Sequence, residues 1–186
     1  MKNQADRQGS TNATVAATSP PQRALRRRII REKVVQALYA YELSGDSLEH
    51  VFDTILPPLE ENKPGLEFAK KLIAKTAENR VEFDRVIRGK LNNWDFKRVA
   101  LLDRIILRMG ICELLHFKEI PPKVSMNEAI ELAKLFSTSR SAKFVNGVLD
   151  AVLNDIRRSG TLSKTGRGLD EGHPQYKWRR ATAKKR

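Results

Sequence analysis

A single cysteine, Cys112, stands in this 186-residue chain, which excludes an intramolecular disulfide framework and suits a reducing compartment. No stretch approaches the roughly 18 consecutive apolar residues of a membrane span. The first 22 residues lack the apolar run of a secretory signal. A cytoplasmic protein with no membrane association is expected. Patterns for chemistry are missing as well. His50, His116 and His173 fall far apart, with no Cys/His metal spacing and no glycine-rich phosphate loop. Acids recur at helical spacing, as in Glu78/Glu82 and Glu128/Glu131, where a solvated helix face is the default. The chain reads as a non-enzyme with no catalytic residue, no metal and no cofactor.

What the sequence has in excess is positive charge, +13 in total, and its location matters. Residues 1–33 carry eight Lys/Arg against two acids, and residues 157–186 carry ten against two. The stretch between them is nearly neutral. Basic ends on a neutral body are a footprint of nucleic-acid binding; the alternative is that they only aid solubility.

No strand pattern or internal repeat is present, so an all-α body is predicted. Its organising stretch is 95–117, DFKRVALLDRIILRMGICELLHF, apolar on two faces and therefore wrapped by other helices. Gly110 predicts a close helix crossing, and Arg98, Asp103, Arg104 and Arg108 a narrow wet strip. Residues 1–22 are read as a disordered extension ending at Pro20-Pro21. A helix follows with Ile30, Val34, Ala37, Leu38 and Tyr41 inward and Arg26, Arg27, Arg28 and Arg31 crowding its positive end. That placement disfavours the helix unless a polyanion binds there. It stops at Ser44-Gly45-Asp46. Further helices are expected over 47–56, 66–91, from Ser125 to about Phe136, and 142–157. Ser125 and Glu128 read as a capping box and Ser141 as the cap of the last helix. Trp94 reads as a wedge between two lobes or an ordinary core aromatic. Cys112 reads as a small buried hydrophobe. From Ser159 onward a basic disordered tail is expected.

The segment 123–150, KVSMNEAIELAKLFSTSRSAKFVNGVLD, closely resembles the bacterial transcription antitermination factor NusB family. The NEAIELAK and KFVNGVLD blocks carry the resemblance. Val35-Gln36-Ala37-Leu38-Tyr39, Ile106-Leu107-Arg108 and Cys112-Glu113-Leu114-Leu115 extend it over about 26–158. It implies a NusB-like two-lobed helical bundle over 23–158, with lobes at about 23–93 and 94–158 and a basic tail over 159–186. It also implies a cytoplasmic factor that binds single-stranded boxA RNA of nascent ribosomal RNA operon transcripts. The implied partners are NusE, a small-subunit ribosomal protein, and the RNA polymerase antitermination complex.

By the same resemblance the RNA surface combines Arg26, Arg27, Arg28, Arg31 and Tyr39 with Lys143 and Phe144. Arginines suit phosphates, and the two rings suit unstacked bases. Tyr39 and Phe144 are otherwise core aromatics. Lys143 and Phe144 are expected at a helix N-terminus, which favours phosphate. Asn146-Gly147 is expected to be structural, Gly for close packing and Asn to fix the preceding loop. Asp103 falls where the family meets NusE, its alternative being a plain exposed acid. The N-terminal extension, the basic tail, Cys112 and Arg140 depart from the family pattern. Two rival readings remain: a NusB-like module cut from a ribosomal RNA methyltransferase, and a helical module that binds only protein.

Overall fold

The computed structural model describes residues 22–91 and 94–166, with side chains from Arg27 onward. The readings made for residues 1–21, for the Asn92-Asn93 turn and for the tail beyond residue 166 lie outside it, as does the Arg26 side chain. Among the described residues there are seven α-helices, two 3-10 turns and no strand: α1 (Gln22–Ser44), α2 (Leu48–Ile55), α3 (Lys63–Glu78), α4 (Arg80–Arg88), α5 (Leu101–His116), α6 (Pro122–Phe136) and α7 (Ser139–Arg158). The chain is all-α, as expected.

The central stretch behaves as its two apolar faces require. Every residue of α5 from Ile105 to Leu114 is buried, and α1, α3, α4, α6 and α7 all pack on it. Gly110 makes the close crossing. A Cβ there would meet Leu149 Cδ1 at 3.0 Å and Ala129 Cβ at 3.6 Å, so α7 and α6 lie directly on the backbone. The helix is shorter than expected. Residues 96–98 form a 3-10 turn capped by the Asp95 carboxylate, which accepts from the Lys97 amide at 2.9 Å. Val99 and Ala100 are extended before α5 begins.

Half of the expected wet strip is dry, while Arg98 stays exposed and Arg104 half-buried. Asp103 and Arg108 are buried, and Arg108 donates to both oxygens of Asp84 (2.6 and 2.9 Å) and to Glu42 (2.9 Å). Helices α1, α4 and α5 are thereby tied together at the middle of α5.

Several other boundaries shift for identifiable reasons. The expected 66–91 helix is two helices, because Asn79 intervenes. Its side-chain amide and its own N–H both donate to the Lys75 carbonyl, a local alternative to continuing the ladder. Helix α6 opens at Pro122, a residue suited to a first helical position, and takes no side-chain cap. Ser125 and Glu128 thus lie inside the helix and do not form a capping box. Helix α7 opens three residues earlier than expected, capped by Thr138, whose hydroxyl accepts from the Ser141 amide at 3.0 Å. Trp94 is 53% exposed with the Arg98 guanidinium over its ring, so it wedges nothing. Gly147 faces open space where close packing was expected, and the Oδ1 of Asn146, expected to fix the preceding loop, is buried with no hydrogen-bond partner among the described residues.

Candidate nucleic-acid interface

The arginine run does not crowd the first turn of its helix. Because α1 starts at Gln22, Arg26 to Arg31 occupy its second and third turns, past the reach of the unsatisfied amides. At 100° per residue, a run of arginines must split between faces. Arg31 points inward and is 2% exposed. Its guanidinium holds Glu113 of α5 bidentately, at 2.6 and 3.0 Å, and lies 5.2 Å over the Phe68 ring. Ser125 of α6 donates to the same Glu113 carboxylate at 2.8 Å, which completes a buried three-helix knot. Burial alone would lower the Arg31 pKa. The Glu113 carboxylate outweighs that and holds it above the ordinary arginine value.

Arg28 turns toward α6, where Glu128 receives it at 3.3 and 3.5 Å and Glu131 at 3.7 Å. About a third of its side chain remains exposed. These carboxylates raise its pKa against the opposing effect of burial. Arg27 is exposed. Tyr39 is eleven residues past Arg28, which an ideal helix brings back to within about 20° of the same azimuth and about 16 Å along the axis. It is 38% exposed.

Lys143 and Phe144 sit on α7, which packs along α6, the helix that receives Arg28. Lys143 is exposed, while Phe144 is half-buried with one side on the core. Both lie in the second turn of α7, so the expected helix N-terminus beside them is replaced by Thr138 and its neighbours. Asp103 is 6% exposed. Its Oδ2 accepts from the Ser141 hydroxyl at 2.9 Å, whereas Oδ1 has no partner within the described chain.

Helix α6 thus joins the outer arginine face of α1 to the Lys143–Phe144 side of α7, and Arg31 stays beneath. The residues missed from the sequence are Glu113, which holds Arg31, and Ser125, which holds Glu113. A signal for Glu113 was present: an acid inside a fully apolar helix face has to meet a buried cation. Among the described residues no group of three or more His, Cys, Asp or Glu side chains is placed to hold a metal ion. No described helix is long and apolar enough to cross a membrane. Burial pushes the Cys112 thiol up to about 12, as an inert core residue requires.

Comparison with known proteins identifies relatives of this chain and of its fold. The NusB family model matches residues 28–154. The transcription antitermination protein NusB of Salinibacter ruber is 46% identical over 144 residues, covering 77% of this chain and 90% of that protein. The structure of NusB from T. maritima superposes with a TM-score of 0.63 at 37% identity, covering 69% of this chain and 91% of that one. A crystal structure of the antitermination factors NusB and NusE in complex with double-stranded RNA gives 0.61 at 27% identity, covering 70% of this chain and 98% of that one.

Proposed function

Because the chain belongs to the NusB family of transcription antitermination proteins, we propose that it binds the boxA element of nascent ribosomal RNA operon transcripts together with NusE. It does so in the cytoplasm, within the RNA polymerase antitermination complex. The observation that carries this reading is the split arginine run. Arg27 and Arg28 lie on the outside of α1, Arg28 in line with the half-exposed Tyr39, and α6, which receives Arg28, packs along the helix that carries Lys143 and Phe144. Arg26, Arg27, Arg28 and Lys143 contact phosphates. The rings of Tyr39 and Phe144 stack on unpaired bases, which makes single-stranded RNA the ligand. Arg31 acts from below as a positioning residue, fixing α1 against α5. Asp103 meets NusE, the role that the family resemblance implies. The body divides into lobes of about 23–93 and 94–158 that meet along α5.

The test is a titration of boxA RNA and of scrambled RNA, with and without NusE. The wild type should prefer boxA over both the scrambled strand and the boxA duplex, and NusE should tighten binding further. Replacing Arg27 and Arg28 by Gln should weaken both affinities and flatten the plot of log K against log salt by ~0.7 for each phosphate no longer neutralised. An unchanged salt slope would sink this placement of the site.

A further inference from the structure

The chain does not leave the body where α7 ends. Gly160, at φ +68°, adopts the left-handed conformation that stops the helix, and the amide of Thr161 donates back to the Ile156 carbonyl at 3.2 Å. The following residues stay on the body, contrary to the expectation of disorder from Ser159. Leu162 packs on the core. The Lys164 ammonium donates to the carbonyls of Glu113 (3.1 Å) and Phe117 (3.0 Å), at the C-terminal end of α5. The Thr165 amide donates to the Lys118 carbonyl at 3.0 Å.

A cation over the last carbonyls of a helix satisfies groups that the ladder leaves open, and it meets the negative end of the helix dipole. Burial lowers the Lys164 pKa, against the pull of Glu113 and Glu119. Two independent anchors therefore hold this strap on the α5–α6 turn.

The path of the strap is what matters. Helix α7 ends beside Lys90, which pairs with Asp155, a residue also held by Arg158. Seven extended residues span up to ~25 Å, and the strap uses them to reach the α5–α6 turn. Thr165 and Gly166 form the rim of a cleft of about 770 Å³ whose facing wall carries Arg27, Arg31, Asn62 and Phe68. Twenty further residues follow Gly166, with seven Lys/Arg, two acids, Tyr176 and Trp178.

We propose that the strap is a positioning device: Lys164 and Thr165 launch the C-terminal basic extension beside the arginines of α1, so that both basic ends of the chain act on one stretch of the same RNA strand. This deepens the RNA-binding reading above and rests on it. An extension that started at Ser159 would sweep a larger volume, and its effective concentration at the arginine face would fall.

The experiment uses the full-length protein and single-stranded boxA oligonucleotides, each carrying one 4-thiouridine at successive positions, with cross-linked peptides mapped. In the wild type, peptides from 167–186 should cross-link to a window of a few nucleotides adjoining the window of the α1 arginines. Replacing Lys164 by Gln together with Thr165 by Pro removes both anchors and leaves the extension whole. Its window should spread along the oligonucleotide, and affinity should fall several-fold toward that of a chain lacking 167–186. Lys164→Arg, which keeps a cation on the carbonyls, should restore the narrow window. Loss of helical circular dichroism in the anchor variant would shift the decision to the wild-type window, which needs no substitution. Even cross-linking in the wild type, or an unchanged window and affinity in a folded anchor variant, overturns the inference alone. No binding of any oligonucleotide by any form overturns it together with the RNA reading.

Discussion

Arg28 and Arg31 stand three residues apart on one helix and share a chemistry, yet one lies at the surface and the other inside. Arg28 keeps a third of its side chain in solvent and is met by two carboxylates that are themselves partly wet. Arg31 is almost wholly withdrawn, and its guanidinium is met by the Glu113 carboxylate, the Arg27 carbonyl and the Phe68 ring, with Ser125 holding Glu113 in place. The outer arginine can exchange its partners for a phosphate with little rearrangement. The inner one would have to leave an ion pair that three helices share. A basic cluster counted in sequence is thus two devices in space, a grip and the pin that holds the grip in place.

The comparison is broken hardest at the pin. Glu113→Ala leaves Arg31 buried and uncompensated, which should cost ~3–5 kcal/mol of stability in chemical denaturation. Replacing Arg31 by Met and Glu113 by Leu together should recover most of that loss, since the charges then disappear as a pair. A single variant as stable as the wild type would show that the pair holds nothing.

The outer face is tested by specificity. Phe144→Ala removes one stacking face worth ~1–3 kcal/mol, so the ratio of boxA to scrambled affinity should shrink at fixed salt. Deleting 167–186 should instead weaken both by similar factors, because a polycation attracts any phosphate backbone without reading bases. The cut belongs after Gly166, since a cut at Ser159 would also remove the Lys164 anchor from α5. If the truncation collapses the ratio and Phe144→Ala leaves it alone, the roles are reversed.

The smallest effect is expected at Cys112. With its thiol pushed up to about 12 by burial, it should resist thiol reagents at pH 8 until the protein unfolds. Its folded pKa lies above the unfolded value of about 8.5. The associated stability is therefore fully present below that value and is lost as pH rises toward 12. Cys112→Ala should leave RNA affinity unchanged in a titration; a folded variant that no longer binds would contradict the inert reading.

Much of the fold was legible in advance because helical periodicity is a local property. The inward faces of α1 and α7, the burial of α5 all round and the close crossing at Gly110 follow from spacing and residue size alone. Boundaries were less legible where two local signals competed. Asn79 broke a helix that periodicity carried through, and Pro122 opened one that Ser125 and Glu128 were read as capping.

Composition, period and motif, each carried by neighbours along the chain, determined that this protein is an all-α member of the NusB family with basic ends. Tertiary structure alone decided which arginine faces outward, that Asp103 and Arg108 are buried, and that the chain past α7 is anchored on the C-terminal end of α5. Each of those outcomes depends on a partner distant in sequence: Glu113 for Arg31, Asp84 and Glu42 for Arg108, and the Glu113 and Phe117 carbonyls for Lys164. A charge enters the interior only where its counter-charge is already waiting, and that meeting is a property of the packed helices.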